Sequence, residues 1–355
     1  MSTDPLLTDL SHNLLTWFDR EQRELPWRSL RTPYRVWISE VMLQQTQVAT
    51  VIPYFERWQR AFPDVYTLAA APLDDVLKLW EGLGYYRRAR LIHACAKVIC
   101  EEHAGTLPNS YDQLITLPGI GPYTAAAIAS LAFGEAAIAV DGNIKRVAAR
   151  LFELAGGPDP KLVTQHLQPH LPAERAGAFN EALMELGATV CTPKTPACAR
   201  CPVQGQCLGH QHNTVQQFPE PKPKKHVPTK VRYAWLVPRD NELLLSKRRG
   251  DGKTKTMLKG LWGFPLTETQ PEGTILESVK HAYTHFKIRV HPVIVTSSFL
   301  LDNEGLDLSD SRYVPLTEID TLALSKLDHK ILARYQDCQL HSDKASETYL
   351  FDVHS

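Results

Sequence analysis

Four cysteines crowd into seventeen residues, at Cys191, Cys198, Cys201 and Cys207, with the spacing Cys-x6-Cys-x2-Cys-x5-Cys. Thiols at this density force the loop that carries them to converge, either in disulfides or around a metal centre. The chain has seven cysteines, an odd number. Its first residues, MSTDPLLTDLSHNLL, lack the basic segment and long apolar run of an export signal. Both points argue for a reducing compartment and against a disulfide framework. A [4Fe–4S] cluster needs four thiolates around one small cuboid, which a single compact loop supplies. Zinc is the alternative, but structural zinc sites usually combine two Cys-x2-4-Cys knuckles, and only one short pair occurs here.

The second constraint is the stretch Leu117 to Arg150, LPGIGPYTAAAIASLAFGEAAIAVDGNIKRVAAR. Gly119 and Gly121 supply backbone freedom for a tight turn, and Pro122 suits the first turn of a helix. Residues 125–131 then read as a buried helix of small residues. Such a turn leaves amides free at a helix N-terminus, where they hold a phosphate oxygen. Taken alone, Gly-x-Gly equally serves to turn the chain between two core helices. A single carboxylate, Asp141, ends the apolar run that follows.

Elsewhere the pattern up to residue 190 is helical. Leu10, Leu14, Leu15, Trp17 and Phe18 form one amphipathic stripe; Thr32-Pro33 is a cap and first-turn pair opening the next helix. Glu40 falls inside that otherwise apolar segment. On local pattern its commoner meaning is a solvated face; the other is a pocket that raises its pKa. Helical patterns continue through 51–62, 73–80, 89–103, 144–154, 162–167 and 178–189, the last bearing Glu181 and Glu185. Leu25-Pro26-Trp27-Arg28 reads as a rigid turn, either packed or binding. Glu81-Gly82-Leu83-Gly84-Tyr85-Tyr86-Arg87-Arg88 interleaves aromatics with cations, a combination suited to stacking on bases and pairing with phosphates. Cys95 and Cys100 lie in apolar surroundings and read as inert core thiols.

Apolar content of 43% and charged content of 22% are those of an ordinary globular protein, and 355 residues allow two or three domains. No stretch reaches the length of a membrane span. The net charge is zero, yet Lys222–Lys259 holds 12 basic and 3 acidic residues, and Leu300–Ser355 holds 11 acidic and 5 basic. A basic middle is thus masked by an acidic tail.

In combination, the Gly-x-Gly hairpin, the Asp some twenty residues on and the cysteine spacing resemble the endonuclease III superfamily of DNA glycosylases. Ser39-Glu40-Val41-Met42-Leu43-Gln44-Gln45-Thr46, Leu25-Pro26-Trp27-Arg28 and Val140-Asp141-Gly142-Asn143 resemble more closely its adenine-specific, MutY-type branch. The resemblance implies a mainly α catalytic region over 1–217, with a helix-hairpin-helix (117–125) and a [4Fe–4S] loop (191–207). A basic linker (218–230) and a C-terminal α+β Nudix-like domain (231–355) follow. It implies a monomeric, nucleoid-associated cytoplasmic enzyme of bacterial type acting on double-stranded DNA with adenine opposite 8-oxoguanine or guanine.

In the endonuclease III branch of that superfamily a Lys directly after the hairpin forms a Schiff base with the sugar. Here the position is Tyr123, and a phenol cannot form an imine. The pair Glu40 and Asp141 remains, suited to hydrolysis of an N-glycosidic bond: an acid protonates the leaving base while a carboxylate stabilises the oxocarbenium-like sugar. By resemblance Glu40 is the acid and Asp141 the stabiliser, with Tyr123 and Asn143 positioning them. Arg28, Glu181, Trp27 and Leu25 belong to the adenine pocket. Leu43, Gln44, Gln45 and Tyr85 wedge into the duplex as the base leaves the stack, Gln45 being the intercalator. Gly119, Ile120 and Gly121 bind a phosphate, and Lys194 and Arg200 of the cluster loop face DNA.

Further on, 233–238 and 243–247 read as strands, and Gly260-Leu261-Trp262-Gly263-Phe264-Pro265 resembles the entry to a Nudix fold. Nudix hydrolysis needs an Arg-Glu-x-x-Glu-Glu array, but Pro271–Arg289 offers only Glu272 and Glu277, so no nucleotide hydrolysis is expected. The resemblance assigns reading of the opposite base to Tyr283, Thr284 and His285, where the family carries Phe-Ser-His; a plain strand edge is the alternative. Two other readings stay open: a mismatch or oxidised-pyrimidine glycosylase of the same superfamily, and a non-catalytic iron–sulfur DNA-binding protein.

Overall fold

The computed structural model describes residues 5–220, 227–249, 257–283, 285–295 and 308–351. They form two compact units that do not follow the chain linearly: 1–70 with 91–224, and 71–90 with 225–355. The short segment 71–90, with Tyr85, thus belongs to the unit built mostly from the C-terminal third.

The first unit is helical throughout its described residues. Its elements are α1 (Pro5–Glu21), α2 (Pro33–Leu43), α3 (Val48–Ala61) and α4 (Val65–Ala70). After the second unit's α5 (Leu73–Leu79), α6 (Arg87–Glu102) leads back to it. Then come α7 (Tyr111–Leu114), α8 (Pro122–Phe133), α9 (Gly142–Leu151), α10 (Pro160–Leu167), α11 (Ala176–Thr189) and α12 (Leu208–Gln211). The expected signals act where they stand. Thr32 caps α2 by accepting from Arg35 N at 3.3 Å, and Gly134 closes α8 with φ 74°. The stripe Leu10, Leu14, Leu15 and Phe18 is buried against Ile144, Val147 and Leu151 of α9 and Phe179, Leu183 and Leu186 of α11. Burial of each such side chain contributes about 1.5–3 kcal/mol, so this cluster anchors both helices that carry polar residues of the site.

The second unit is built on two small sheets. Strands β1 (Thr229–Leu236), β2 (Pro238–Arg239), β3 (Glu242–Lys247), β4 (Trp262–Gly263) and β5 (Leu266–Thr267) come first in the chain. They are followed by β6 (Thr274–Ile275), β7 (Val279–Ala282), β8 (Lys287–Ile294), β9 (Ser311–Pro315) and the helix α13 (Lys326–Phe351). One sheet runs β5-β1-β8-β6 with β7 also on β8; the other runs β2-β3-β4 with β9 also on β3. β1 and β8 pair in parallel from Thr229↔Lys287 to Leu236↔Ile294. Where a Nudix hydrolase would need its metal-binding helix, Pro271–Arg289 holds strands β6, β7 and the start of β8. The core joins Leu236, Leu243, Leu245, Phe264 and Val290 to Leu327 and Ile331 of α13. Asp328 is fully buried but accepts from Arg248 Nη1 and Nη2, both at 2.8 Å, so its charge is compensated.

Candidate active site

The hairpin forms between α7 and α8. Gly119 adopts φ +78°, and a Cβ added there would lie 2.6 Å from Leu91 Cβ, so both conformation and packing demand glycine. The Ile120 amide is spent on the turn, donating to Leu117 O at 3.2 Å, and its side chain is buried. Among the described residues the amides of Gly119 and Gly121 donate to no backbone carbonyl.

α8 then delivers Tyr123 to Glu40 on α2, and the phenol donates to Glu40 Oε2 in a short hydrogen bond. Glu40 is only 4% exposed, which corrects the local expectation of a solvated face. Burial is the main force on it, and with the charges of Glu181 and Asp141 it pushes the carboxyl up to about 7, against the hydrogen bond from Tyr123 and the cation Arg28. Burial also raises the Tyr123 phenol well above its usual range, so it remains a donor. Asp141 is the N-cap of α9, accepting from Ile144 N at 2.7 Å and Asn143 Nδ2 at 3.0 Å. Burial raises this carboxyl too, but backbone and side-chain donors and Arg146 oppose it. The larger upward push falls on Glu40, so of the two carboxyls Glu40 is the one that holds its proton to higher pH.

Around this pair lies an arginine–glutamate cluster. Arg28 donates from Nε to Glu181 Oε1 and from Nη2 to Glu185 Oε2, both at 3.0 Å. Arg23 Nε reaches Glu185 Oε1 at 2.6 Å. Arg31 Nη2 lies 2.6 Å from Glu181 Oε2, an ion pair without the direction of a hydrogen bond. Trp27 and Leu25 are buried, Trp27 packing edge-on against Phe55 at 5.6 Å, so they support Arg28 from the core side.

Of the residues expected to wedge into DNA, Gln45 is exposed at the end of α2 with φ 59°, a conformation that projects its side chain at some strain. Gln44 is half-buried and donates to Thr124 Oγ1 on α8 at 3.0 Å; Leu43 is half-buried. Tyr85, in the other unit, is 44% exposed at φ 50°. Its turn is shaped by Gly82 and Gly84 at positive φ and by Trp80 Nε1 donating to Gly84 O at 2.9 Å. Arg88 stacks over the Trp80 and Tyr85 rings at 5.1 and 5.6 Å. At the β7–β8 turn, Tyr283 is half-buried against Phe286 and His281, and His285 is exposed; Thr284 lies outside the described residues.

Cys191, Cys198, Cys201 and Cys207 line one small cavity with Arg150, Val190, Gln204 and His210. Among the described residues no group of three His, Cys, Asp or Glu side chains is arranged to hold a single ion; the four sulfurs instead surround a space. Burial, with the other thiols adding repulsion, pushes Cys201 up to about 12 and raises Cys207. Buried thiols so placed would ionise only around a cationic centre, and the donor set suits iron and sulfide. Arg150, buried on α9, donates from Nη1 to Cys191 Sγ at 3.3 Å and Thr192 O at 2.7 Å, and from Nη2 to Pro193 O at 3.0 Å. Lys194 and Arg200 are exposed on this loop.

Three contributors carry no sequence signature of their own. Arg146 donates to Cys191 O at 2.9 Å, Gly187 O at 2.8 Å and Asn143 Oδ1 at 2.9 Å, tying the cysteine loop to the residue beside Asp141. Gly187 lets α11 approach, since a Cβ there would lie 2.6 Å from Asn143 Cβ. Asn180, fully buried, accepts from Ala139 N at 2.9 Å and donates to Ala137 O at 2.8 Å, pinning the irregular run that leads to Asp141. Only a three-dimensional fold brings these together.

Residues 38–173 match the family model of the HhH-GPD superfamily of base excision DNA repair proteins, and residues 232–334 match that of the NUDIX domain. The chain is also similar to a thermostable thymine-DNA glycosylase, at 26% identity and TM-score 0.54 over 58% of this chain and 97% of that one. A trapped endonuclease III–DNA covalent intermediate gives 26% and 0.52, over 60% and 99%. The mouse adenine DNA glycosylase is 48% identical over 218 residues, 58% of this chain but 42% of the mouse protein, so the chain spans under half that relative's length. The adenine DNA glycosylase of Buchnera aphidicola from Baizongia pistaciae is 38% identical over 298 residues, 79% of this chain and 84% of its own. The chain belongs to the adenine DNA glycosylase family.

Proposed function

We propose that the chain is a monofunctional glycosylase that hydrolyses the N-glycosidic bond of adenine paired with 8-oxoguanine or guanine in duplex DNA. The observation that carries this reading is Glu40: a buried carboxyl without a hydrogen-bonded cation, pushed up to about 7 and held by Tyr123 beside the N-capping Asp141. Glu40 gives its proton to N7 of the flipped adenine. The C1′–N9 bond breaks with its electron pair leaving on the base, and the Asp141 carboxylate stabilises the cationic sugar. Water then adds at C1′ as the Glu40 carboxylate takes its proton back. With Tyr123 in place of an amine no imine forms, and the product is an abasic site in an intact strand. Arg28 and Glu181 orient the base, and Gln45, Gln44, Leu43 and Tyr85 fill the space it vacates. The four cysteines would hold a [4Fe–4S] cluster, which would stiffen the loop bearing Lys194 and Arg200. In this reading Tyr283, Thr284 and His285 of the second unit read the opposite base.

The test is a single-turnover reaction on a labelled duplex with one adenine opposite 8-oxoguanine, split with and without hot alkali. Cleavage only after alkali, lost on the order of 10²–10⁴-fold in Glu40→Gln, is expected for general acid catalysis. Cleavage without alkali would remove the monofunctional assignment. Release of thymine from a G:T duplex in place of adenine would instead align the chain with the thymine-DNA glycosylase to which it is similar.

A further inference from the structure

The end of α2 is held in a turn that its own residues disfavour. Leu43 O accepts from Thr46 N at 3.2 Å, closing the turn 43–46. Gln44 has φ −57° and ψ 111°, and Gln45 has φ 59°. Those angles approach a type II turn, whose third position ordinarily takes Gly or Asn. A glutamine there is strained, and such a conformation persists only where the surrounding structure over-determines it.

That surrounding structure is α8. Gln44 Nε2 donates to Thr124 Oγ1 at 3.0 Å, and Thr124 is only 1% exposed. The bond ties the residue before Gln45 to a side chain locked in the interior. One position earlier on α8, Tyr123 donates to Glu40 Oε2. Consecutive residues of α8 therefore grip α2 at two points one helical turn apart, Tyr123 at Glu40 and Thr124 at Gln44. The first grip holds the acid of the proposed reaction, and the second holds the strained turn. We propose that Thr124 is a positioning residue for the wedge: by holding Gln44 it keeps Gln45 in the left-handed conformation that presents it to the duplex. This rests on the proposed reading of Gln45 as the residue that enters the space vacated by the flipped base. It adds the anchor against which that side chain pushes. The anchor is the hydroxyl and not the shape, so Val, which matches Thr in outline, removes it and Ser retains it.

The experiment uses the full chain as wild type, Thr124→Val, Thr124→Ser, Gln44→Met and the double variant Thr124→Val/Gln44→Met. A duplex carries 2-aminopurine opposite 8-oxoguanine, and its fluorescence rises as the base leaves the stack. A second duplex, with adenine in that place, gives the single-turnover rate of release. One neutral hydrogen bond shifts an equilibrium by about 2–10-fold, so Thr124→Val should lower both unstacking and release by that factor. Thr124→Ser should restore both. The pH dependence set by Glu40, at about 7, should keep its midpoint in Thr124→Val, since Tyr123 still holds that carboxyl. The double variant should be no worse than Gln44→Met alone, because both substitutions remove the same bond. Additive losses in the double variant, a shifted midpoint, or Thr124→Ser as slow as Thr124→Val overturns the assignment. Wild type that unstacks 2-aminopurine without releasing adenine would sink the proposed activity while leaving the unstacking comparison fully readable.

Discussion

Two corners of the helical unit bury carboxylates almost equally, and treat them in opposite ways. Glu185 on α11 is 1% exposed and Glu40 on α2 is 4% exposed. Glu185 meets two guanidinium groups, Arg23 and Arg28, and despite burial its carboxyl is held below the ordinary range. Glu40 meets a phenol and two other carboxylates, and is pushed up to about 7. The same side chain in the same kind of interior is a structural anion in one place and, in the proposed mechanism, a proton donor in the other. What differs is whether a cation was built to receive it. An ionised, paired carboxylate has no proton to give near neutrality, whereas an unpaired one keeps its proton at the cost of stability once it must ionise.

The comparison breaks most visibly if Glu185 loses its charge. Glu185→Gln leaves Arg28, whose side chain is 10% exposed, with one carboxylate in place of two, and leaves Arg23 unpaired. Breaking a buried pair from one side costs about 3–5 kcal/mol; because Arg23 is 39% exposed, a loss near 3 kcal/mol in urea unfolding at pH 7 is expected. Since the Glu185 pKa is lowered in the folded state, its stabilisation is present above the unfolded value of 4.5 and fades as pH falls. The gap between wild type and variant should therefore close on acidification. A gap that persisted unchanged to pH 3 would mean that shape, not charge, holds this corner.

Glu40→Gln should do the reverse. A raised folded pKa gives a relative stability that is complete below 4.5 and lost as pH rises through about 7. The amide cannot ionise, so at pH 8 the variant should be more stable than wild type by on the order of 2–3 kcal/mol, converging with it near pH 4. The same titration sets activity: above pH 7 the rate of base release by wild type should fall about tenfold per pH unit as Glu40 loses its proton. A stability difference that did not vary with pH would show that Glu40 is solvated in the way its local pattern suggests.

That local pattern marks how far the sequence reaches. The helices were legible because Leu10, Leu14 and Phe18 repeat at helical spacing and because Thr32, Pro122 and Gly134 act within one turn of where they stand. The cysteine loop was legible because its ligands are close in sequence. Glu40 was not, on its own neighbourhood: its burial depends on α8 crossing α2 and delivering Tyr123 from 83 positions away. Arg146, Gly187 and Asn180 are less visible still, being ordinary residues of helices whose role arises where α9 and α11 meet the approach to Asp141. Family resemblance supplied Glu40 and Asp141 because it carries three-dimensional information that local pattern lacks.

A third carboxylate, in the second unit, lies between these two extremes and gives the smallest effect. Glu81 accepts from Leu324 N at 3.2 Å, and its two oxygens form short contacts with His329 and Lys78. Lys78 also donates to Leu322 O at 3.0 Å, so the clasp ties the 71–90 segment to the start of α13. Hydrogen bonds and charge outweigh burial and lower Glu81, while Glu81 raises His329 above its ordinary 6.5. The ion pair is thus complete below about pH 6.5 and dissolves as pH rises through the raised value; at the acid end it fades as Glu81 is protonated. His329 is 38% exposed, so screening limits its worth to about 0.5–1 kcal/mol. His329→Ala should cost that much at pH 6 and almost nothing at pH 9. Because the clasp holds the turn bearing Tyr85, hydrogen exchange at Leu83–Tyr86 should quicken in the variant at pH 6 by a similar factor of about 2–5, over and above the ordinary pH dependence of exchange. If exchange there is unaffected, the turn is set by its own glycines and by Arg88 stacked on Trp80, and the clasp serves only α13.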